Sequence, residues 1–474
     1  MMKFAATAAV AAFCGCAAVK DAREAQEAAR PAGDGVPGEA ANVYLGGETL
    51  DGLVAYALAN RPSMVAARLA VEDARLALRE IAADAPLVSS TPWNAVGADV
   101  SMSYSEQSRT AHFDDMKWKT RRGKPSATLS LDVLIWDFGR NAARARAQAE
   151  NVVAAEQNLA KAGCAVFDEV ASCHFALLQN EALAEVAASN VQMCAEHLVQ
   201  EEDRFELGES RSLDVLRARL DLARAAEAAV LASNDVVTAG ANLMAALGID
   251  ASSGGFREVL GPRRESLDRV TRVFPSTDET AADAFAFART NSPAVQVARA
   301  KLRAASAQVD YAIANLGPSL SAAVSLNWTD PLWYWRWSVG AAQSLFTGWR
   351  KTTDVDRARV ALESASAALG TEEQTLSRSL ELAIAERDNA AESLATAAES
   401  VRQASENLET VAAQHEVGDA SRIDYADAIT SYAEALGNRV KAFYRGQIAE
   451  ARIIELTGRE PGFANEQITG GDIR

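Results

Sequence analysis

Apolar residues recur along this chain with two periods. Four short runs alternate at period two, the mark of strands with one apolar and one polar or small face. In the first, Val96, Ala98, Val100, Met102 and Tyr104 alternate with Gly97, Asp99, Ser101 and Ser103. In the second, Ala127, Leu129, Leu131, Val133 and Ile135 alternate with polar residues, Leu134 being the exception. Leu320, Ala322, Val324, Leu326 and Trp328 make the third, and Trp333, Trp335, Trp337, Val339 and Ala341 the fourth. The runs predict strands at 95–105, 126–136, 319–328 and 333–345. They pair as two hairpins, one closed by the loop 105–125 and one turning at Asp330-Pro331.

Between them the period becomes seven. Positions 355, 362, 369, 376, 383, 390, 397, 404 and 411 read Val, Leu, Leu, Leu, Ala, Ala, Ala, Ala, Val. Val170, Leu177, Ala184, Val191, Leu198 and Phe205 form a second seam, with Cys173 and Cys194 beside it. A strict heptad predicts left-handed coiled packing, and the many Ala residues allow close approach. The stretches 141–207 and 351–417 contain no Pro and one Gly each, Gly163 and Gly370. Each predicts one helix of about 65 residues, ~100 Å long. Gly208 and Gly418 suit the left-handed residue that ends a helix, and Ser212 the cap that starts the next one. Return helices then run over 212–247 and 421–457 to a second pair of stops, Gly248 and Gly458. Shorter helices over 63–82 and 294–315 precede the strands.

The chain is written twice. "WDFGRNAARARAQAE" (136–150) and "FTGWRKTTDVDRARVA" (346–361) both lead from an aromatic run through an Arg into a long helix. Arg140 aligns with Arg350, Gly208 with Gly418, Asp214 with Asp424 and Gly248 with Gly458, without a gap. Upstream, Pro62 of "ANRPSMVAARL" aligns with Pro293 of "RTNSPAVQVARA". The first copy's extra residues fall in the 105–125 loop. The predicted organisation is a signal segment (1–16), a linker (17–49), repeat 1 (50–248), a second linker (249–281), repeat 2 (282–458) and a tail (459–474). The fold class is mainly α with a small β part.

Composition narrows the function. With 47 Lys and Arg against 64 Asp and Glu, the formal net charge is −17, and no basic cluster suits nucleic acid. There is no run of 18 apolar residues and so no ordinary transmembrane helix, which does not exclude a membrane-spanning β-barrel, whose alternating strands leave a weak hydropathy signal. Trp328, Trp333, Trp335 and Trp337 lie on the apolar face beside one turn, as in an aromatic belt, while Asp99, Asp132, Asn327 and Arg336 lie opposite. Four strands cannot enclose a channel; three copies would supply twelve.

The start, "MMKFAATAAVAAFCGC", has a short positive end and a small apolar stretch, a targeting segment. It resembles a lipoprotein signal with Cys16 as the lipid acceptor. Cys164, Cys173 and Cys194 fall on one predicted helix, ~13 Å and ~31 Å apart, too far for disulfides. Cys194 and His197 share a face, but two ligands do not make a zinc site, so no metal is expected. No phosphate loop or nucleophile elbow is present, and there are only four His; the sequence carries no enzyme signature, and no cofactor is expected.

Two copies of helix, hairpin, long helix, turn and return helix, each with an aromatic-led run ending in Arg, resemble the TolC family of outer-membrane efflux proteins over roughly 50–458. The start resembles that family's lipoprotein branch. The resemblance implies a homotrimer, with a 12-stranded outer-membrane barrel standing on an α-helical barrel that crosses the periplasm. It implies the exit duct of a tripartite efflux or type I secretion system, docked through a periplasmic adaptor (membrane fusion protein) to an inner-membrane pump. It places the turns at 205–214 and 415–424 at the periplasmic tip, with Phe205, Gly208, Asp214 and Gly418 at the adaptor-docking turns. Asp424 and Asp427 occupy the positions of a carboxylate ring at the entrance; the plain alternative is two solvated acids at a helix start. Where the family often has Tyr, this chain has Phe205 and His415, so its closing contacts differ. His415 continues the seam of Leu394, Val401 and Leu408 as a buried neutral residue. A pump adaptor or a coiled-coil envelope lipoprotein would also use long helices, but neither would carry alternating strands with a Trp belt.

Overall fold

In the computed structural model the described residues are 49–83, 96–113, 116–208, 210–249, 281–329, 332–344, 346, 348–417 and 420–459, and all lie in one structural unit. Cys16, Gly418, Asp330-Pro331 and most of the linkers and tail fall outside them.

Two helices dominate: α3, Arg140–Glu206, and α7, Arg350–Val417, of 67 and 68 residues, each ~100 Å long. After a tight turn each is followed by a 36-residue helix, α4 (Ser212–Leu247) or α8 (Arg422–Thr457). At ~54 Å these reach back just over half way. The remaining distance is covered by 22-residue helices, α2 (Pro62–Ala83) beside α3 and α6 (Pro293–Ala314) beside α7.

The two broken columns are joined in the same manner. Gly248 (φ 77°) and Gly458 (φ 68°) end α4 and α8 in the left-handed conformation, and there the backbone runs against the start of the other helix. A Cβ on Gly458 would lie 2.9 Å from Pro293 Cδ and 3.1 Å from the Asn291 carbonyl oxygen; one on Gly248 would lie 3.5 Å from Arg61 Cα. Short helices α1 (Leu50–Asn60) and α5 (Ala281–Asn291) come before each break. They were not legible in the hydrophobic pattern. Proline drives the residue before it out of the helical region: Arg61 (ψ 129°) and Ser292 (ψ 124°) are extended, and a new helix starts at each Pro.

α3 packs against α1, α2, α4, α6 and α8, and α7 against α5, α6 and α8. The helices therefore form a layer in the order α2/α4, α3, α6/α8, α7, with both ends open. Val170, Phe175, Leu177, Leu243 and Leu247 are fully buried in it. The heptad positions from Val355 to Val411 are all buried or half-buried. The first seam stops early: Phe205 is 47% exposed. The three cysteines are free and half-buried. Burial raises each thiol above its usual value, which keeps it unreactive.

The sheet has strands β1 (Val96–Phe113), β2 (Met116–Trp136), β3 (Ser319–Thr329) and β4 (Leu332–Ala342), antiparallel in the order β1-β2-β3-β4. The first hairpin is longer than its pattern predicts. The stretch expected to be a loop is a paired ladder from Ser105↔Lys124 to Phe113↔Met116. Backbone pairing needs no apolar alternation, so this ribbon left no period-two signal. Leu134, the break in alternation, sits at a bulge between Leu134 and Trp136 where the register with β3 shifts.

At each strand-to-helix junction two successive residues have positive φ: Phe138 (58°) with Gly139 (79°), and Gly348 (63°) with Trp349 (63°). The Gly has changed places within the pair, so in each half one aromatic residue adopts the left-handed conformation at a cost of ~1 kcal/mol. This kink turns the chain directly from strand into helix. In the first half Asp137, 2% exposed, secures it by accepting the Gly139 N–H (3.1 Å) and the Asn141 N–H (2.7 Å).

Candidate functional site

Two regions carry the candidate residues. The first is one face of the sheet, where the register aligns apolar residues in rows across all four strands. Ala98, Leu131, Val324 and Trp337 form one row, Val100, Leu129, Leu326 and Trp335 the next, and Met102, Ala127, Trp328 and Trp333 a third. Between them lie Asp99, Ser130, Ser325 and Arg336, then Ser101, Thr128, Asn327 and Tyr334, on the opposite face. Thr128 donates to Asn327 Oδ1 at 3.0 Å there. Of the four Trp residues only Trp328 and Trp333 share a row, with ring centroids 5.9 Å apart. Trp335 and Trp337 stand one and two rows further from the turn, so they cover the band rather than its rim. Trp335, Trp337, Val339 and Met102 are each more than half exposed. A wholly apolar, exposed sheet face suits hydrocarbon, not water.

The second region is the far end of the helical layer, where the α3–α4 and α7–α8 turns lie side by side. Gly208 ends α3 with φ 80°. The Ser210 N–H reaches back to the Arg204 carbonyl (3.3 Å), the long return bond of a helix ended by Gly208, and the Ala420 N–H reaches the Gln414 carbonyl (3.2 Å). The next helices start differently. The cap of α4 is Arg211, with no side-chain bond, and Ser212 is its first helical residue, so the expected Ser212 cap is corrected by one position. In the second half Ser421 is a true cap, its hydroxyl accepting from Asp424 N (3.3 Å) and its N–H donating to Asp424 Oδ2 (3.2 Å).

Asp424 thus holds the start of α8, yet its side chain and that of Asp427 are exposed, and among the described residues neither is in an ion pair. Asp214 is otherwise engaged. Arg422 Nη2 lies 2.9 Å from its carboxylate and Nη1 donates to its backbone carbonyl at 3.2 Å, with the side chains only 12% and 25% exposed. This two-pronged grip binds the start of α8 to the start of α4.

His415 is 3% exposed, as its seam position implies, but its surroundings are polar. Its Nδ1 lies 3.4 Å from the Ala420 carbonyl, and its Nε2 lies 3.2 Å from Arg204 Nη1 and 3.4 Å from Glu201 Oε1. Arg204 Nη2 donates to the His415 carbonyl. Tyr425 stacks on the His415 ring at 5.2 Å, and His197 meets Tyr425 edge-on at 5.0 Å. Glu201 is 2% exposed and accepts the Ser210 hydroxyl at 2.8 Å. His197 is 3% exposed. Burial, aided by His415 and Arg422, lowers its pKa against the pull of Glu201. In the sequence His197 shares a face with Cys194, while Glu201, Arg204 and Arg422 give no signal there, because their partners come from the other half of the chain.

No curated protein matches the sequence closely enough to count as a relative. Among solved structures the chain has a TM-score of 0.75 to a membrane protein from Pseudomonas aeruginosa, with 20% identity, covering 90% of this chain and 98% of that one. For the outer membrane protein VceC from Vibrio cholerae the values are 0.72, 16%, 86% and 96%. For the outer membrane channel CmeC of Campylobacter jejuni they are 0.74, 17%, 88% and 86%. At these identities the likeness establishes the fold. The family model described as outer membrane efflux protein matches residues 53–249 and 287–459, which takes in both long helices, their return helices and all four strands. The chain therefore belongs to the outer membrane efflux protein family, that of the TolC-type channels.

Proposed function

We propose that three copies of this chain, built of two tandem repeats, form a continuous exit duct. Its wall is a 12-stranded barrel in the outer membrane and a helical barrel across the periplasm. The observation that carries this reading is that sheet and helical layer are open in the same sense. Among the described residues β1 and β4 have unpaired outer edges, and the layer ends in α2/α4 on one side and α7 on the other. An exposed apolar sheet edge is a liability unless paired, and closure among copies removes every edge. The outer side of α4 agrees: Leu213, Leu216, Leu220, Val230 and Val237 are all about half exposed or more, a stripe suited to a neighbouring copy. Of the described helices only α4 is long and apolar enough to cross a membrane, and it lies along α3 instead.

In this reading the polar sheet face lines water, the apolar rows meet lipid, and Cys16 adds a lipid anchor. Phe205, Gly208, Asp214 and Gly418 present the tip to a periplasmic adaptor joined to an inner-membrane pump. Cargo, small molecules or peptides and proteins, is selected by that pump. Asp424 and Asp427, three residues apart on one face of α8, would place six carboxylates around the entrance and favour cations. The test is single-channel conductance in a planar bilayer, with and without a trivalent cation, on wild type and on Asp424→Asn/Asp427→Asn. Asn keeps the acceptor that Ser421 needs while removing the charge. Cation-selective steps that are blocked in wild type and unblocked in the variant are expected. Equal block in both would remove the aspartates from the entrance; failure of the trimer to insert would overturn the duct.

A further inference from the structure

The buried group His197, Glu201 and His415 has a geometry that the duct reading does not use. One nitrogen from each ring and one oxygen of the carboxylate lie within 4.8 Å of one another. All three side chains are at least nine-tenths buried, and among the described residues His197 Nδ1 has no hydrogen-bond partner. A buried imidazole with an idle nitrogen, grouped with a buried carboxylate, is costly unless something binds there. We propose that this group is a divalent transition-metal site of the zinc class, which ties α3 to α7 at the tip.

The donor set and its orientation favour such an ion. Two imidazoles and one carboxylate, with a fourth position for water, suit zinc rather than calcium or magnesium. His197 and Glu201 are four residues apart and share one face of α3. On His415, Nδ1 lies 3.4 Å from the Ala420 carbonyl, an acceptor for a proton on that nitrogen; in that tautomer the Nε2 lone pair is free to bind a metal beside Glu201. A carbonyl in that position orients the ring as it does in metal sites. Donors ~2.1 Å from a tetrahedral ion sit roughly 3.4 Å apart, and His415 Nε2 and Glu201 Oε1 are already separated by 3.4 Å. His197 alone has to swing inward.

Arg204 is the resident competitor. Its Nη1 donates to the same Nε2 lone pair, so the metal must displace that bond, while Nη2 keeps its hold on the His415 carbonyl. The guanidinium stands in for the cation when no metal is bound, and its positive charge opposes binding. Removing it should therefore tighten the site, the reverse of what loss of a ligand would do.

The experiment uses the full chain in detergent, stripped with a chelator. Zn²⁺ is titrated by calorimetry, and Co²⁺ by its visible absorption, which is intense only for low-coordinate protein ligation. One equivalent per chain is expected, with strong cobalt bands. His197→Gln and Glu201→Gln should weaken binding by more than about 100-fold, and Arg204→Ala should tighten it about tenfold. Asp424→Asn/Asp427→Asn removes any cation held by the entrance carboxylates, and the equivalent that gives the strong cobalt bands should persist in it. The Gln variants preserve side-chain volume, and trimer integrity is checked on each. Zinc binding that survives His197→Gln and Glu201→Gln overturns the proposal, as does stoichiometric binding that is lost only in the aspartate control, or no binding to an intact Arg204→Ala trimer.

Discussion

Replacing Arg422 with alanine should open the tip. The side chain makes two bonds to one residue, Nη2 to the Asp214 carboxylate at 2.9 Å and Nη1 to the Asp214 carbonyl at 3.2 Å. The pair is mostly shielded, so it is worth more than a surface ion pair; a charge-assisted bond here contributes ~1.5–2 kcal/mol per chain. The contact joins the start of α8 to the start of α4, and any outward movement of the second hairpin from the first must break it. In a trimer that opens as a unit, three such contacts sum to ~5 kcal/mol, enough to convert a duct open 1% of the time into one open most of the time. The assay is open probability in a planar bilayer. Asp214→Asn should have a smaller effect than Arg422→Ala, because the carbonyl bond to Nη1 survives it. The exchange Arg422→Asp with Asp214→Arg should recover part of the closed population, since each side chain then faces an opposite charge. If Arg422→Ala leaves the closed population unchanged, the tip is held elsewhere and the reasoning fails. If Asp214→Asn opens the duct more than Arg422→Ala does, the two-pronged contact is not what holds it.

Three further outcomes follow from the structure. Gly139 and Gly458 both have positive φ, but a Cβ on Gly139 meets nothing within 4 Å while one on Gly458 meets backbone and proline at 2.9–3.1 Å. Gly139→Ala should cost ~1 kcal/mol and Gly458→Ala ~3 kcal/mol, read as thermal unfolding of the detergent-solubilised protein; equal costs would show that the α8–α6 joint yields. Glu455 lies 2.8 Å from Arg452, yet burial, with Asp168 nearby, raises its pKa above the ordinary carboxylate value. The folded state then binds the proton more tightly than the unfolded chain, so wild type loses stability as pH rises from the unfolded value through the raised one. Glu455→Gln should therefore be the more stable above that window, and its advantage should vanish near about pH 4; a constant difference across pH would refute this. Trp335→Arg, in the middle of the apolar rows, should cost ~2–4 kcal/mol of membrane stability and reduce the amount of folded protein in the outer membrane, whereas Asp99→Asn on the opposite face should not.

What was legible in the sequence depended on whether one period carried it. The long helices could be read because the heptad from Val355 to Val411 runs without a break, and the sheet faces because the alternation flips only at the bulge by Leu134. The kink before each long helix could be located because "WDFGR" and "FTGWR" mark it twice, although its two left-handed residues show only in the fold. The ribbon from Ser105 to Lys124 was invisible because polar strands show no alternation, and α1 and α5 because a single Pro divides each from the next helix. The tip was hardest for a different reason. The spacing of His197 and Glu201 could be seen on one helix face, but the third donor comes from the other half of the chain. Its equivalents gave no warning: aligned as Arg140 is with Arg350, His197, Glu201 and His415 correspond to Asn407, Val411 and Phe205, none of them matched in chemistry. A site assembled from positions where two copies have diverged leaves no repeated motif. Only the packing of α3 against the column beside α7, which brings Glu201 to His415, makes it readable.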